Sequence, residues 1–332
     1  MEEIRQKPSM GVIFHPWFPP ESLVDYARKV EAAGFDELWL WDDCFQAGAF
    51  TSAGIALSST SRIKVGIGLL PVPACNPLFA AMEITTLERA FPDRFLPGFG
   101  HGVRSWMERI GAAPPSPLLA LEETVTAVRA LLQGKKVTMH GSWVNLEQVQ
   151  MQLTLPAPPP IYIGGIREKT LRLAGRLGDG SILTGQSSPA YIQWAKNHIR
   201  SGMEDSGRTD HRVAVYVDVI VSPDRAAARS AARQALAGLM PWEDAKLEAS
   251  GIAAEVRTFL KDHTTPNEFA RNMPDAWVDE LCAAGTPQEV ADGIRRRAAA
   301  GADSIIFELL NSDPSSLDDY IQYLSPVDQL IN

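Results

Sequence analysis

Residues 63–99 read IKVGIGLLPVPACNPLFAAMEITTLERAFPDRFLPGF, and this stretch decides the fold class. Ile63–Gly68 has the valine and isoleucine content of a buried parallel strand. Pro77–Phe91 is predicted to form a helix, and Phe95–Phe99 the next strand. The stretch therefore alternates strand, helix and strand, and no low-complexity linker marks a second domain.

The same alternation extends in both directions along the chain. The other predicted strands are Met10–Phe14, Glu37–Trp41, Ile161–Ile163, Ser181–Leu183, Val213–Val221 and Ser304–Leu309. The other predicted helices are Glu21–Ala33, Leu118–Leu132, Glu168–Leu177, Pro189–Ser206 and Pro287–Ala300. Eight strands alternating with helices predict an α/β fold, a (β/α)8 TIM barrel. An open doubly wound sheet is the alternative, but it needs a switch point that the sequence does not show.

Two segments depart from the alternation. A polar stretch after Leu132, KKVTMHGSWVNL, is typical of a hairpin. Ala237–Ala284 is rich in short helical pieces, and we interpret it as an insertion before strand 8. We expect residues 1–332 to form a single domain that contains this insertion.

The composition limits the classes of function. The chain has 332 residues, of which 45% are hydrophobic, and a formal net charge of −9. Lysine and arginine are scattered, so no basic patch for nucleic acid or a membrane surface is expected. Cys44, Cys75 and Cys282 are widely spaced, which argues against disulfides and structural zinc. The first residues lack the features of a signal peptide, and no apolar run could span a bilayer, so we expect a cytoplasmic protein without a metal site.

In a barrel of this kind the active site lies at the carboxyl ends of the strands. This rule selects His15–Trp17, Asp42–Phe45, Leu69–Pro71, Gly100–Gly102, Trp106, Gly164–Arg167, Thr184, Gly185, Glu308 and Asn311. Several tryptophans near strand ends suit a planar aromatic ligand, although most tryptophans in proteins are core residues.

One candidate site is a phosphate loop. Gly164 and Gly165 follow a strand and open a helix, and Arg167 and Lys169 add positive charge. Glycines let backbone N–H groups approach an anion, and a helix N-terminus attracts it. An ordinary strand-to-helix turn is the alternative.

Two further segments contain groups that can exchange protons. His101 lies between two glycines, where a hydrogen bond to a ligand is favoured over core packing, and the segment lacks the full dinucleotide fingerprint. Asp42 and Asp43 follow strand 2. One acid can bond a loop N–H group while the other faces a pocket, and burial beside a second acid would raise its pKa.

The chain resembles the luciferase-like monooxygenase superfamily, in its branch of oxidoreductases that depend on the deazaflavin coenzyme F420. The stretches that carry the likeness are Gly34–Phe45, Val65–Pro77, Thr86–Val103, Pro159–Gly180 and Gly285–Phe307. Each motif is loose, but together they span most of the chain in the order typical of the family.

The resemblance implies a luciferase-like barrel with an insertion before strand 8, usually a homodimer. It implies a non-prolyl cis peptide at Gly68–Leu69, which bulges under the cofactor ring. The cofactor-binding residues that we carry over or infer are Asp42, Gly68, Leu69, Pro71, His101, Trp106, Gly164, Gly165, Ile166, Arg167 and Thr184.

Two departures from the family pattern affect the chemistry. Asp43 stands where many relatives have histidine, and Val103 stands where sugar-phosphate dehydrogenases have glutamate. The second departure argues against sugar-phosphate oxidation. We take Asp43 and His101 as the catalytic candidates for proton transfer.

The resemblance thus predicts hydride transfer between F420 and a small organic substrate, with no requirement for oxygen. A flavin or F420 reductase is the partner expected to supply reduced cofactor. One alternative is a two-component monooxygenase that uses reduced FMN from a partner reductase. A non-catalytic flavin-binding protein is the other alternative, and a nicotinamide dehydrogenase ranks last because no glycine fingerprint follows strand 1.

Overall fold

A computed structural model describes residues 7–310 and 312–331, the last seven through their backbone alone. The strands are β1 (Ser9–Phe14), β2 (Glu37–Leu40), β3 (Lys64–Pro71), β4 (Phe95–Gly100), β5 (Val137–His140), β6 (Asn145–Val149), β7 (Tyr162–Gly164), β8 (Gly180–Leu183), β9 (Arg212–Val221), β10 (Ala283–Gly285) and β11 (Ser304–Leu309). The helices are α1 (Leu23–Ala32), α2 (Ala49–Ser59), α3 (Pro77–Ala90), α4 (Arg104–Arg109), α5 (Pro117–Leu132), α6 (Glu168–Leu177), α7 (Pro189–Ser206), α8 (Arg225–Gly238), α9 (Asp244–Ala249), α10 (Ala253–Asp262), α11 (Pro266–Asn272), α12 (Asp275–Leu281), α13 (Pro287–Ala300) and α14 (Leu317–Ile331).

The predicted fold class is confirmed. All eight predicted strands are present as β1, β2, β3, β4, β7, β8, β9 and β11, and with their helices they make a (β/α)8 barrel. The predicted hairpin is the antiparallel pair β5–β6. Five elements were not predicted, namely α2, α4, α8, β10 and α14.

Helix boundaries follow ordinary capping chemistry. α13 begins with Pro287 and a capping box, in which the Thr286 hydroxyl accepts from the Glu289 N–H and the Glu289 carboxylate accepts from the Thr286 N–H. It ends at Gly301, whose φ of 113° lies in the left-handed region that glycine adopts without strain. Pro at the start and Gly at the end are the signals that made this helix predictable.

The described chain forms two compact units. The N-terminal unit comprises residues 14–182 and 198–211, and the C-terminal unit comprises the remaining described residues. In the N-terminal unit the parallel strand order is β2-β3-β4-β7-β8. Trp39 and Gly66 are partners in the β2–β3 register, and a Cβ atom on Gly66 would lie 2.5 Å from the Trp39 indole ring. Glycine at this position therefore leaves room for a large core side chain.

In the C-terminal unit the parallel order is β10-β9-β11-β1. The predicted insertion contains the short helices α9–α12. With α8 they enclose an apolar cluster in which Trp242, Phe269 and Trp277 contact one another through their rings. Aromatic side chains bury large apolar areas, and the same cluster includes Ile220 of β9 and Ala284 of β10, so it packs this segment against the strands.

The residues that the structure describes include no helix long and apolar enough to cross a membrane. Within the same residues, no three histidine, cysteine or acidic side chains are grouped so that they could hold a metal ion. The expectation that residues 1–332 form a single domain stays a prediction.

Candidate active site

The exit of β3 carries an irregularity at the position that the resemblance implied. The peptide bond between Gly68 and Leu69 is cis, and the β3–β4 register shifts between Ile67 and Leu70. The Leu69 side chain, which is half-buried, lies across the ends of two neighbouring strands. A Cβ atom on Gly164 would lie 2.6 Å from both Leu69 methyl groups, and one on Gly100 would collide with the same side chain.

These contacts give a second reason for the glycines that the sequence analysis linked to a ligand. Gly100 and Gly164 leave space for Leu69, and a Cβ atom on Gly165 would collide with the methyl group of Thr170. Gly102 has a φ of 67°, and a Cβ atom there would lie 2.9 Å from the Cβ of Pro71. Pro71 itself is buried at the end of β3. Internal packing therefore requires small residues at these strand ends.

His101, directly after β4, is bound through both ring nitrogens. Nδ1 lies 3.2 Å from the carbonyl oxygen of Pro117, and Nε2 lies 2.9 Å from the hydroxyl of Thr170. A carbonyl oxygen can only accept, so Nδ1 donates to it and neutral Nε2 accepts from Thr170. Burial lowers the pKa of His101, against the opposing effect of the Pro117 carbonyl. The imidazole is neutral at pH 7 and connects β4 to the first turns of α5 and α6.

The predicted phosphate loop opens α6 as expected. Arg167 is the N-cap residue in an extended conformation, and its own side chain makes no capping hydrogen bond. Arg167 and Lys169 are exposed, and Gly165 and Ile166 are half-buried. An uncapped helix N-terminus beside two cations has the chemistry that a phosphate group requires. The donor set therefore fits the phosphate-bearing cofactor that the resemblance implies.

The two acids after β2 differ in their contacts. Asp42 Oδ1 accepts a hydrogen bond of 3.1 Å from the backbone N–H of Ala49, at the start of α2. Burial raises the pKa of Asp42, and that bond opposes the rise. Burial, followed by repulsion from Asp42, raises the pKa of Asp43. Asp42 thus holds α2, while burial and the neighbouring charge act in the same direction on Asp43.

Two cysteines and Trp106 belong to the same unit as these acids. Burial, followed by the charge of Asp42, raises the pKa of Cys75 to about 11, so its thiol is not a nucleophile at neutral pH. Burial also raises the pKa of Cys44. Trp106 is half-buried, and its ring meets that of Phe45 edge to face at 6.4 Å.

A second group of polar residues belongs to the C-terminal unit, where Thr184 and Gly185 follow β8, and Asp218 and Glu308 lie on β9 and β11. Lys246, on α9, is buried and donates to the Thr184 hydroxyl over 2.9 Å and to the Gly185 carbonyl. Burial lowers the pKa of Lys246 to about 8, against the charges of Asp218, Glu243 and Glu308. Thr184 was predicted to bind the cofactor, and its hydroxyl is occupied by this lysine.

Asp218 and Glu308 are register partners on β9 and β11. Asp218 is fully buried, and its Oδ2 accepts a hydrogen bond from the side chain of Gln186. Within the described residues no N–H or O–H group donates to its Oδ1, and its other side-chain partner is the carboxyl group of Glu308. Burial raises the pKa of Asp218, against the Gln186 hydrogen bond and the charge of the Lys246 ammonium.

Sequence reasoning missed Lys246 and Asp218. The sequence does contain a signal for Asp218, which is the one acid within the apolar run VAVYVDVIV of β9. It contains none for Lys246, which lies in the insertion, because the hydrophobic pattern does not predict the path of that segment. Asn311 lies outside the described residues.

Three comparisons with known proteins are informative. The sequence profile of a family described as luciferase-like monooxygenase matches residues 3–304. A 5,10-methylenetetrahydromethanopterin reductase of Archaeoglobus fulgidus is 29% identical over 306 residues, covering 89% of this chain and 92% of the relative. An F420-dependent glucose-6-phosphate dehydrogenase of Kineococcus radiotolerans is 28% identical over 316 residues, covering 90% of each.

The fold is shared with a solved structure of similar length. The coenzyme F420-dependent tetrahydromethanopterin reductase from Methanopyrus kandleri matches with a TM-score of 0.82 at 21% identity, over 97% of this chain and 99% of that one. The match covers both units and the insertion between β9 and β11.

Proposed function

The chain belongs to the luciferase-like monooxygenase family, and from that premise we propose that it is an oxidoreductase that transfers a hydride between coenzyme F420 and a small organic substrate. The proposal is supported by the cofactor that similar proteins use. The Kineococcus enzyme and the Methanopyrus reductase act on a sugar phosphate and on a pterin compound, and both depend on F420. What such proteins have in common is the cofactor and not the substrate.

The N-terminal unit offers residues that suit the cofactor. The bulge at Gly68–Leu69 would support the ring, and the start of α6, with Arg167 and Lys169, would bind the phosphate. When bound, the deazaflavin supplies the centre that carries the hydride. The protein orients it, because Leu69 is fixed against Gly100 and Gly164 and cannot shift without displacing two strand ends.

We assign the proton-transfer role to Asp43 in preference to His101. His101 was a candidate of equal standing, but both of its ring nitrogens are engaged by Pro117 and Thr170. It therefore acts as a positioning residue for the strand 4 exit and α6. Asp43 is half-buried with a raised pKa, which brings it closer to the pH at which a carboxyl group exchanges protons efficiently.

The substrate is a small organic molecule other than a sugar phosphate. Val103, at the position of the dehydrogenases' glutamate, is exposed and cannot transfer a proton. By the same resemblance we propose a cytoplasmic homodimer that receives reduced cofactor from a separate reductase.

The first test is a titration of the purified protein with F420 and, in parallel, with FMN, followed by fluorescence. Binding of F420 with at least tenfold preference supports the proposal, and preference for FMN replaces it with a two-component monooxygenase. The Arg167→Met variant should weaken F420 binding, whereas Arg257→Met, an exposed arginine of α10, should leave it unchanged. Anaerobic assays with methylenetetrahydromethanopterin, glucose 6-phosphate and 2-propanol then test turnover, and we expect glucose 6-phosphate to be inactive.

A further inference from the structure

Phe45, in the loop after β2, combines an exposed apolar side chain with an unusual backbone conformation. Its side chain is 59% exposed, and its backbone φ of 72° lies in the left-handed region. Bulky residues rarely adopt this region, and such outliers concentrate at functional sites. The backbone conformation suits a tight turn over residues 43–46, in which the Gln46 N–H donates to the Asp43 carbonyl oxygen over 3.3 Å, and this turn presents the phenyl ring to solvent.

Two residues of α4 hold the Phe45 ring in place. The guanidinium carbon of Arg109 lies 4.4 Å from the ring centroid, which is a cation–π contact. The Trp106 ring approaches it edge to face at 6.4 Å. Arg109 uses one face of the phenyl ring, and more than half of the side chain is left to solvent.

The charge of Arg109 is available to a ligand. It is exposed, and no carboxylate in the described part of the chain forms an ion pair with it. Arg104, on the same helix, is by contrast paired with Glu108 at 2.9 Å. Arg109 also lies close enough to act electrostatically on Cys44, which follows Asp43 directly. The cation, the aromatic ring and the acids of the β2 exit are therefore grouped in one place.

We propose that Phe45, Trp106 and Arg109 form the substrate-recognition platform of this enzyme and select a planar aromatic compound that carries an acidic group. The exposed face of Phe45 stacks on the substrate ring, and Arg109 binds its carboxylate or other anionic substituent. Asp43, two residues before Phe45, then faces the reacting part of the molecule. The assignment rests on the proposed function, whose substrate class it specifies.

The test uses 2-naphthoate as the probe, with two matched compounds. 2-Naphthalenemethanol keeps the aromatic rings but lacks the charge, and decahydro-2-naphthoate keeps the charge but lacks the aromatic rings. Calorimetric titration of the F420-loaded protein should show 2-naphthoate binding about tenfold or more tightly than either, as stacking and an ionic contact together predict. Equal binding of the saturated acid would overturn the platform.

Variants separate the contribution of the Phe45 ring to binding from that of the Arg109 charge. Phe45→Leu should weaken 2-naphthoate about tenfold, and Arg109→Met should abolish the preference for the acid over the alcohol. Phe45→Gly should remove binding but keep or raise the thermal stability, because glycine adopts a φ of 72° without strain. A loss of binding in this variant is therefore not caused by unfolding. Phe79→Ala, at an exposed phenylalanine of α3, is the control and should bind like the wild type. Unchanged binding by Phe45→Leu, or an equal loss in Phe79→Ala, contradicts the proposal.

F420 itself contains planar rings and acidic groups, so competition decides which molecule the platform holds. If 2-naphthoate displaces F420, the platform belongs to the cofactor and its assignment to the substrate is wrong. If the wild-type protein binds no F420, the proposed function is wrong. Titration of the unloaded protein with 2-naphthoate then still measures ligand binding by the platform.

Discussion

The hydroxyl of Thr170 donates to Nε2 of His101 over 2.9 Å, which joins the first turn of α6 to the exit of β4. This bond favours the neutral imidazole, because a protonated Nε2 could not accept it. We expect Thr170→Val, which keeps the methyl group against Gly165, to raise the pKa of His101 and to lower stability by about 1 kcal/mol. NMR titration of the histidine rings measures the pKa, with exposed His140 as internal reference. An unchanged His101 titration would show that the hydroxyl has no such role.

Packing of Leu69 predicts a specific rescue. Gly164→Ala should destabilise the protein by about 1–3 kcal/mol, because the new methyl group overlaps the Leu69 side chain. Adding Leu69→Ala should recover much of that loss, and a double-mutant cycle by urea denaturation measures the coupling. Gly54→Ala, inside α2 with its nearest neighbour at 3.8 Å, should be neutral or stabilising. Strictly additive effects at 69 and 164 would contradict the contact.

Asp43→Asn should lower the activity and raise the stability at neutral pH. The folded-state pKa of Asp43 is raised, so above the unfolded value near 3.8 the folded protein binds more protons than the unfolded chain. Stability then falls as pH rises through that window, and the wild type carries the penalty at pH 7. The variant should be more stable than the wild type at pH 7 but not at pH 4. Turnover should fall about 100-fold or more, whereas Asp25→Asn, at an exposed acid of α1, should change neither quantity.

Lys246 predicts a pH dependence of the opposite sign. Its folded-state pKa of about 8 lies below the ordinary value of 10.5, so between these values the unfolded chain binds the extra proton. The stability of the wild type relative to Lys246→Met should therefore rise from pH 8 to pH 10.5, by at most about 1.4 kcal/mol per pH unit. Lys261→Met, at an exposed position of α10, should show no such slope. A flat difference for Lys246→Met would mean that the ammonium is solvated.

The carboxyl pair in the C-terminal unit has a spectroscopic signature. Because burial raises the pKa of Asp218, we expect its pair with Glu308 to hold a proton at neutral pH, which should give the infrared absorption of a protonated carboxyl group. Asp218→Asn should reduce or shift that absorption, and Glu248→Gln, an exposed acid of α9 bonded to Arg257, should leave it unchanged. Absence of the band in the wild type would mean that both acids are ionised.

The strands and most helices were predictable because buried parallel strands and capped helices have local signatures. Pro287 and Gly301 mark both ends of α13, and the valines of β9 mark a buried strand. Helix α2 escaped prediction because its start is stabilised by Asp42, seven residues before Ala49, rather than by a side chain at its own N-cap. A distant cap of this kind leaves no local pattern.

The candidate site was predictable in part, for the same reason. The position of the Gly68–Leu69 bulge followed from the family resemblance, and the phosphate loop stays a prediction. The partners of His101 come from α5 and α6, which lie farther along the chain. Lys246 could not be predicted, since a lone lysine in an irregular segment looks like a solvated one. Its burial depends on the path of α9, which tertiary packing alone determines.

The apolar cluster within α8–α12 has a consequence for how this protein family can diverge. Trp242, Phe269 and Trp277 contact one another, so we expect substitutions among them to be compensated largely within the segment. Because the cluster also includes Ile220 of β9 and Ala284 of β10, a longer, shorter or exchanged segment has to keep an apolar face toward these strands. Relatives with different substrates should therefore differ most in this segment and least in the β-strands.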